Sequence, residues 1–438
     1  MKKILLLVFL FSLNINAQHS ISGNFSPAKD YTWIVAYHLK PGTQNYIADT
    51  AVKDGHFILN VPANKPIGIY RLVYAVPQEE FYFDVIYNGK EDIKLDFNSS
   101  EGVSFTRSFE NIPYSTYFKK INLAQTELID FYTSGEKNID TFNRIIAKLE
   151  RIQRDAEKQT KQLIANQFIV ANRPYIPKDF ETIQHYVLNR KEKYFDKLDL
   201  KNTKLQASGL LTDKLMNYVF TALPLEGMDG EETEKFMQQN VNTIAEKLDG
   251  IDENYRFSVF NTLWSQASAS KLNDVSDFTY TTYLKDLALK TDNAQTVLDV
   301  ETHNRLRLNA VAPELEWQEN SANKTLSTWE GGEQYLLIFW SSTCGHCLKE
   351  LPALHKELRK NGTVKVLAIG LEDNDTYWNI ETAKLPNFSH TISLGKWDSA
   401  YADLYNIQST PSYFILDKEK RIIAKPESDK DVVDFLEK

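Results

Sequence analysis

The sequence predicts a multidomain chain with an all-β start, a helical middle and an α/β end. The length of 438 residues corresponds to about three domains of roughly 150 residues. Residues 18–112 hold six glycines and five prolines, whereas 113–310 hold five and four over twice the length, so turn signals thin out sharply at that border. From about residue 311 strand and helix patterns alternate, which signals parallel pairing with helices laid on a sheet. The expected domains are therefore 18–112, 113–310 and 311–438.

Before the first domain, Met1-Lys2-Lys3, the apolar run Ile4 to Leu13 and the stretch ending at Ala17 have the charged, apolar and cleavage parts of a secretory signal peptide. The apolar run falls short of the roughly 20 residues that cross a bilayer. Residues 1–17 are thus expected to be a cleaved leader. The mature chain would lie in the periplasm or cell envelope, with no transmembrane segment.

In the first domain, Thr32–His38, His56–Val61, Gly68–Ala75, Phe81–Tyr87 and Ile93–Phe97 are short runs rich in aromatic and β-branched residues. Asp54-Gly55 and Asn88-Gly89 between them are pairs that supply positive φ in tight hairpins. A small antiparallel β-sandwich is expected.

The middle domain changes period. Phe142, Ile145, Ile146, Leu149 and Ile152 recur at three- and four-residue steps, with Arg144, Lys148, Glu150, Arg151 and Arg154 opposite, the pattern of an amphipathic helix. Similar stretches surround Tyr117–Phe131, Leu211–Ala222, Thr233–Leu248 and Tyr280–Leu289.

The last domain opens on a buried-strand run, Tyr335–Trp340, followed by a helical Leu348–Leu358 and a second strand, Val364–Leu371. Ser412–Leu416 and Arg421–Ala424 read as a hairpin, and Asp431–Glu437 as a closing helix.

Charge and thiol usage narrow the chemistry. With 50 basic against 59 acidic side chains and a net charge of -9, the chain lacks a basic footprint for a nucleic-acid backbone. Its only two cysteines are Cys344 and Cys347, so there is no disulfide scaffold. Cys344-Gly345-His346-Cys347 lies between a strand and a helix. Backbone N–H groups at a helix start favour a thiolate, which makes Cys344 the candidate nucleophile and Cys347 the resolving thiol. His346, when protonated, would stabilise that thiolate; the other possibility is an exposed histidine without a role. A structural zinc site lacks the usual second ligand pair, and haem attachment would need a histidine where Leu348 stands. A structural disulfide here would close too small a loop to stabilise much. No metal or cofactor is expected.

Phe339-Trp340-Ser341-Ser342-Thr343-Cys344-Gly345-His346-Cys347-Leu348-Lys349-Glu350-Leu351-Pro352 resembles the active-site strand, turn and helix of thioredoxin-fold proteins, specifically envelope thiol-disulfide oxidoreductases of the TlpA and ResA type. Ser409-Thr410-Pro411-Ser412-Tyr413-Phe414 resembles the segment that carries the fold's cis-proline, and Ala312-Pro313 the entry into the domain. The resemblance implies a C-terminal α/β thioredoxin fold, with Pro411 against the cysteines and Trp340, Thr343, Thr410 and Pro411 contacting substrate. Glu350 matches a carboxylate placed near the thiols, three residues beyond Cys347 on adjacent helix surface, where it could exchange a proton with Cys347. Ile338 stands where thioredoxin has a buried aspartate, and Thr343 where the family has tryptophan.

The resemblance implies protein thiol or disulfide clients and a membrane thiol carrier as electron donor. A reductase linked to cytochrome c maturation is the first expectation. An oxidase or isomerase, suggested by His346, is the second, and an envelope binding or scaffold protein with secondary redox activity the third.

Overall fold

The computed structural model describes residues 19–224, 229–319, 321–360 and 362–437; the expected leader at 1–17 lies outside them. The chain divides into two compact units, one ending at Asp292 and the other beginning at Asn293.

The first unit begins with strands β1 (His19–Ser26), β2 (Trp33–Lys40), β3 (Thr43–Ala51), β4 (His56–Val61), β5 (Gly68–Val73), β6 (Tyr82–Tyr87), β7 (Ile93–Asn98) and β8 (Gly102–Arg107). They form two four-stranded sheets, ordered β4-β1-β7-β8 and β3-β2-β5-β6. Only β1 and β7 pair in parallel; the other neighbours are antiparallel. Alternation puts one face of each strand inward, as in β4, where Phe57, Leu59 and Val61 are buried and their neighbours exposed. Both sheets feed one core, in which Phe83 stacks on Phe97 at 5.5 Å.

The two turn pairs behave differently. Asp54 and Gly55 both have positive φ (49° and 79°), and Lys53 and His56 exchange backbone hydrogen bonds of 2.9 and 2.8 Å around them, so a tight two-residue turn forms as expected. Asn88-Gly89 instead leads from β6 in one sheet to β7 in the other. It is a link between layers, not a hairpin, because neighbouring runs in sequence were free to join different sheets.

Helices Asn111–Thr133 and Ile139–Thr160 follow directly, with further helices up to Lys290. Asn138 caps the second through its side chain to Thr141 N, and Phe142, Ile145 and Leu149 turn inward as their spacing predicts. The β-rich and helical stretches, expected as separate domains, belong to one unit. Buried Asn111 explains part of that union. Its Oδ1 accepts from Ile86 N (2.8 Å) and its Nδ2 donates to Ile86 O (2.9 Å), occupying groups that edge strand β6 would otherwise leave unpaired. Glu110 accepts from the backbone N–H groups of Ile164 (3.2 Å) and Ala165 (2.9 Å).

The second unit starts earlier than the expected boundary at 311. Helix Ala294–Leu306 belongs to it: Leu306 is in its core, and Arg305 Nε donates to Leu404 O at 3.0 Å. After the small hairpin β9 (Glu316–Glu319) and β10 (Ala322–Thr325) come β11 (Gln334–Trp340), β12 (Val364–Glu372), β13 (Ser389–Leu394), β14 (Ser412–Leu416) and β15 (Ile422–Ala424). Their order is β13-β12-β11-β14-β15. The first three are parallel, and β14 and β15 are antiparallel to their neighbours. Central β11 is covered on both faces, which is why it reads as an unbroken apolar run. Tyr335, Leu337 and Phe339 enter one core, and Leu336, Ile338 and Trp340 the other. Helix Gly345–Leu358, with Pro352 inside it, packs its Cys347, Leu351 and Leu354 into the second of these cores.

Candidate active site

Strand β11 ends at Trp340, a turn of Ser341, Ser342 and Thr343 follows, and Cys344 is the residue that caps helix Gly345–Leu358. Its backbone is extended (φ -87°, ψ 115°), which swings the side chain over the open helix end. Cys344 N donates to Ser341 O at 3.1 Å and closes the turn. Cys347 N donates to Cys344 Sγ at 3.3 Å, and Cys344 Sγ donates to Thr410 O at 3.4 Å.

The two thiols differ in setting. Cys344 is partly exposed, whereas Cys347 is 0% exposed. Burial by itself would push the Cys344 thiol up, but hydrogen bonds from Cys347, with contributions from Thr410 and the His346 backbone, outweigh it and leave Cys344 below the ordinary thiol value. Cys347 moves the other way. Burial first, and then its hydrogen bond to Cys344, push it up to about 12.

The Thr410–Pro411 peptide is cis; both residues are half-buried, and the Thr410 carbonyl reaches Cys344 Sγ. Glu350 is half-buried and its Oε2 accepts from the hydroxyl of Tyr413 at 3.1 Å. His346 and Thr343 are exposed; Thr343 shares a 3.0 Å hydroxyl contact with Ser341. Trp340, expected to contact substrate, is corrected by its burial. It is 1% exposed and packs in the core with Cys347 and Leu351, so it supports the site from behind.

Two residues escaped the sequence reading. Tyr413, just past Pro411, is buried and reaches Glu350. Glu372, at the end of β12, is 2% exposed and bonds the turn that carries Cys344. An acid closing an apolar strand next to the motif strand was the available signal. Among the described residues, no group of three or more His, Cys, Asp or Glu side chains is placed to hold a metal ion, and no helix is long and apolar enough to cross a membrane.

No protein-family model and no curated protein matches the chain. Solved structures do. A domain of a possible thiol-disulfide isomerase from Cytophaga hutchinsonii is 30% identical, with 30% of this chain and 91% of that one covered and a TM-score of 0.27. The thioredoxin domain of a thiol-disulfide oxidoreductase from Bacteroides vulgatus is 23% identical over 30% of this chain and 96% of its own, with a TM-score of 0.27. A thioredoxin-like protein from Bacteroides caccae is 14% identical over 60% of this chain and 96% of its own, with a TM-score of 0.31. Part of this chain is similar to thioredoxin-like oxidoreductase domains.

Chemically, the cysteine pair offers one partly exposed sulfur with its negative form favoured and one enclosed sulfur with its proton retained. The first suits attack on an external disulfide. The second is reachable only from within the protein, next to the bond that such an attack creates.

Proposed function

We propose that this protein is an envelope thiol-disulfide oxidoreductase of the TlpA and ResA type, with Cys344 and Cys347 as its couple and a thioredoxin fold in its C-terminal part. The observation that carries the proposal is the asymmetry of the pair: a partly exposed Cys344 whose thiol the hydrogen bonds at the helix start hold below the ordinary value, and a buried Cys347 pushed up to about 12. In the reducing direction the Cys344 thiolate attacks one sulfur of a client disulfide. The client S–S bond breaks, a mixed disulfide forms and one client thiolate leaves. Cys347 then gives up its proton and attacks Cys344 Sγ, releasing the second client thiolate and leaving Cys344 and Cys347 oxidised. Two electrons pass to the client, and a membrane thiol carrier would restore them.

Within this scheme Glu350 takes the Cys347 proton, and His346 adds positive charge near Cys344 when protonated. Thr343, Thr410 and Pro411 form the client-facing rim, with the Thr410 carbonyl already directed at Cys344 Sγ. Residues 18–310 would select or position clients, and service to cytochrome c maturation is one such role.

An isomerase or oxidase is favoured by a different consequence of the same geometry, since a stabilised Cys344 thiolate stabilises the reduced form and makes the couple a stronger oxidant. Equilibration with glutathione separates the two. A potential near about -270 mV supports the reductase, and one between about -180 and -120 mV the alternative. The test of either is trapping with Cys347→Ser. A client held on Cys344 supports the proposal, and none under both reducing and oxidising growth overturns it.

A further inference from the structure

Strands β11 and β12 run parallel, with Trp340 opposite Gly370, so the residues that follow these two positions emerge side by side at one end of the sheet. After β11 they are Ser341 and Ser342, and at the end of β12 they are Leu371 and Glu372. The carboxyl of Glu372 turns towards the neighbouring turn. Its Oε1 accepts the backbone N–H of Ser342, and its Oε2 accepts the Ser341 hydroxyl at 3.3 Å. Ser341, Ser342 and Glu372 are all buried, at 8%, 6% and 2% exposure, so solvent does not replace these partners if they are lost.

The same turn holds the nucleophile. Ser341 O accepts from Cys344 N, Ser341 Oγ accepts from Thr343 N at 3.3 Å, and the Ser341 backbone also reaches the Cys347 thiol. On its other side, the Glu372 carbonyl accepts from Gly395 N at 2.9 Å, and next to it Asp373 pairs with Lys396 at 2.6 Å. Among the described residues the Glu372 oxygens bond Ser341 and Ser342 and neither cysteine sulfur, so the carboxyl acts through the turn.

We propose that Glu372 is a positioning residue for the Cys344 nucleophile, clamping the Ser341–Ser342 turn so that the Cys344 sulfur stays over the helix start, within reach of Cys347 N. This rests on the redox reading above. Displacement of the turn takes the sulfur away from the donors that favour its thiolate, so Cys344 returns towards an ordinary thiol while the rest of the sheet is retained.

The test measures alkylation of Cys344 by iodoacetamide against pH in the full chain, on a Cys347→Ser background. Glu372→Ala is expected to move the midpoint upwards by about one pH unit, roughly a tenfold slower reaction on the acid side. Glu372→Gln, which retains an acceptor oxygen for Ser342 N, is expected to move it less. A merely structural loss would lower the unfolding temperature without moving the profile. Ser341→Ala, which removes the hydroxyl link without touching the acid, gives a smaller upward shift and decides the matter if Glu372→Ala does not fold. Superimposable profiles for all folded variants overturn the proposal while leaving the redox reading intact. An ordinary thiol midpoint in the parent protein overturns both.

Discussion

The hydroxyl of Tyr413 donates to Glu350 Oε2 at 3.1 Å, joining the strand that follows Pro411 to the helix that begins after Cys344. Tyr413→Phe removes this donor with little change in shape. The expected loss is about 1 kcal/mol of stability, measured by urea unfolding, together with slower release of a mixed disulfide from Cys344. If release is unchanged, Glu350 does not need Tyr413 to serve Cys347.

The thiols should titrate in opposite directions. In Cys347→Ser, Cys344 is expected to be alkylated with a midpoint below about 8.5, the ordinary thiol value. In Cys344→Ser, Cys347 should stay unreactive through neutral pH, because burial, the largest cause of its upward shift, does not depend on Cys344. Linkage gives matching signs. Cys344, lower when folded, contributes stability above the unfolded thiol value that is lost as pH falls through its native value. Cys347, higher when folded, contributes stability below the unfolded value that is lost as pH rises through about 12.

Two histidines predict acid sensitivity of the second unit. Burial lowers both His355 and His390, with Arg359 adding to the first, and the Leu385 carbonyl opposing the fall in the second. Both therefore contribute stability above about pH 6.5, the unfolded value, that is lost as pH falls through their native values. His355 Nε2 is buried without a hydrogen-bond partner among the described residues. His355→Leu should flatten the dependence of unfolding free energy on pH between 7 and 5; an unchanged slope would falsify its assignment as a buried neutral group.

Asn111→Ala tests the join between sheet and helix in the first unit. The change deprives both Ile86 N and Ile86 O of their side-chain partner. A loss of about 2–4 kcal/mol is expected. Hydrogen exchange at Ile86 should rise along with it, and an amide that stays protected argues against the seal.

Gly370→Ala probes the close approach of β12 to Trp378. A Cβ there would lie 2.4 Å from both Cδ1 and Nε1 of Trp378, closer than a rigid indole can yield without moving. The expected cost is about 1–3 kcal/mol, read as a lower unfolding temperature.

The local parts of this molecule were legible from sequence because local chemistry sets them. The run Tyr335–Trp340 is apolar at every position because both faces of β11 are covered, and Cys344 and Cys347 mark a helix start because they stand between that strand run and a helical pattern. What stayed hidden depends on pairing across long separations. Glu372 matters because β11 and β12 lie in a particular register, and nothing near residue 372 announces Ser342 as its partner. The resemblance makes Trp340 a substrate contact, but an aromatic beside such a site fits either a binding surface or a core, and only the pleat decides for the core. Helix Ala294–Leu306 looked like its predecessors by composition, yet Leu306 and Arg305 commit it to the second unit.

The difference in access between Cys344 and Cys347 also turns the protein into its own counter. The sequence contains no other sulfhydryl, and Cys347 has no exposed surface. A mass spectrum after brief labelling of the reduced protein should therefore show one tag on each folded molecule and two on each unfolded one. Foldedness of the second unit becomes a whole number, readable one molecule at a time from a mixture.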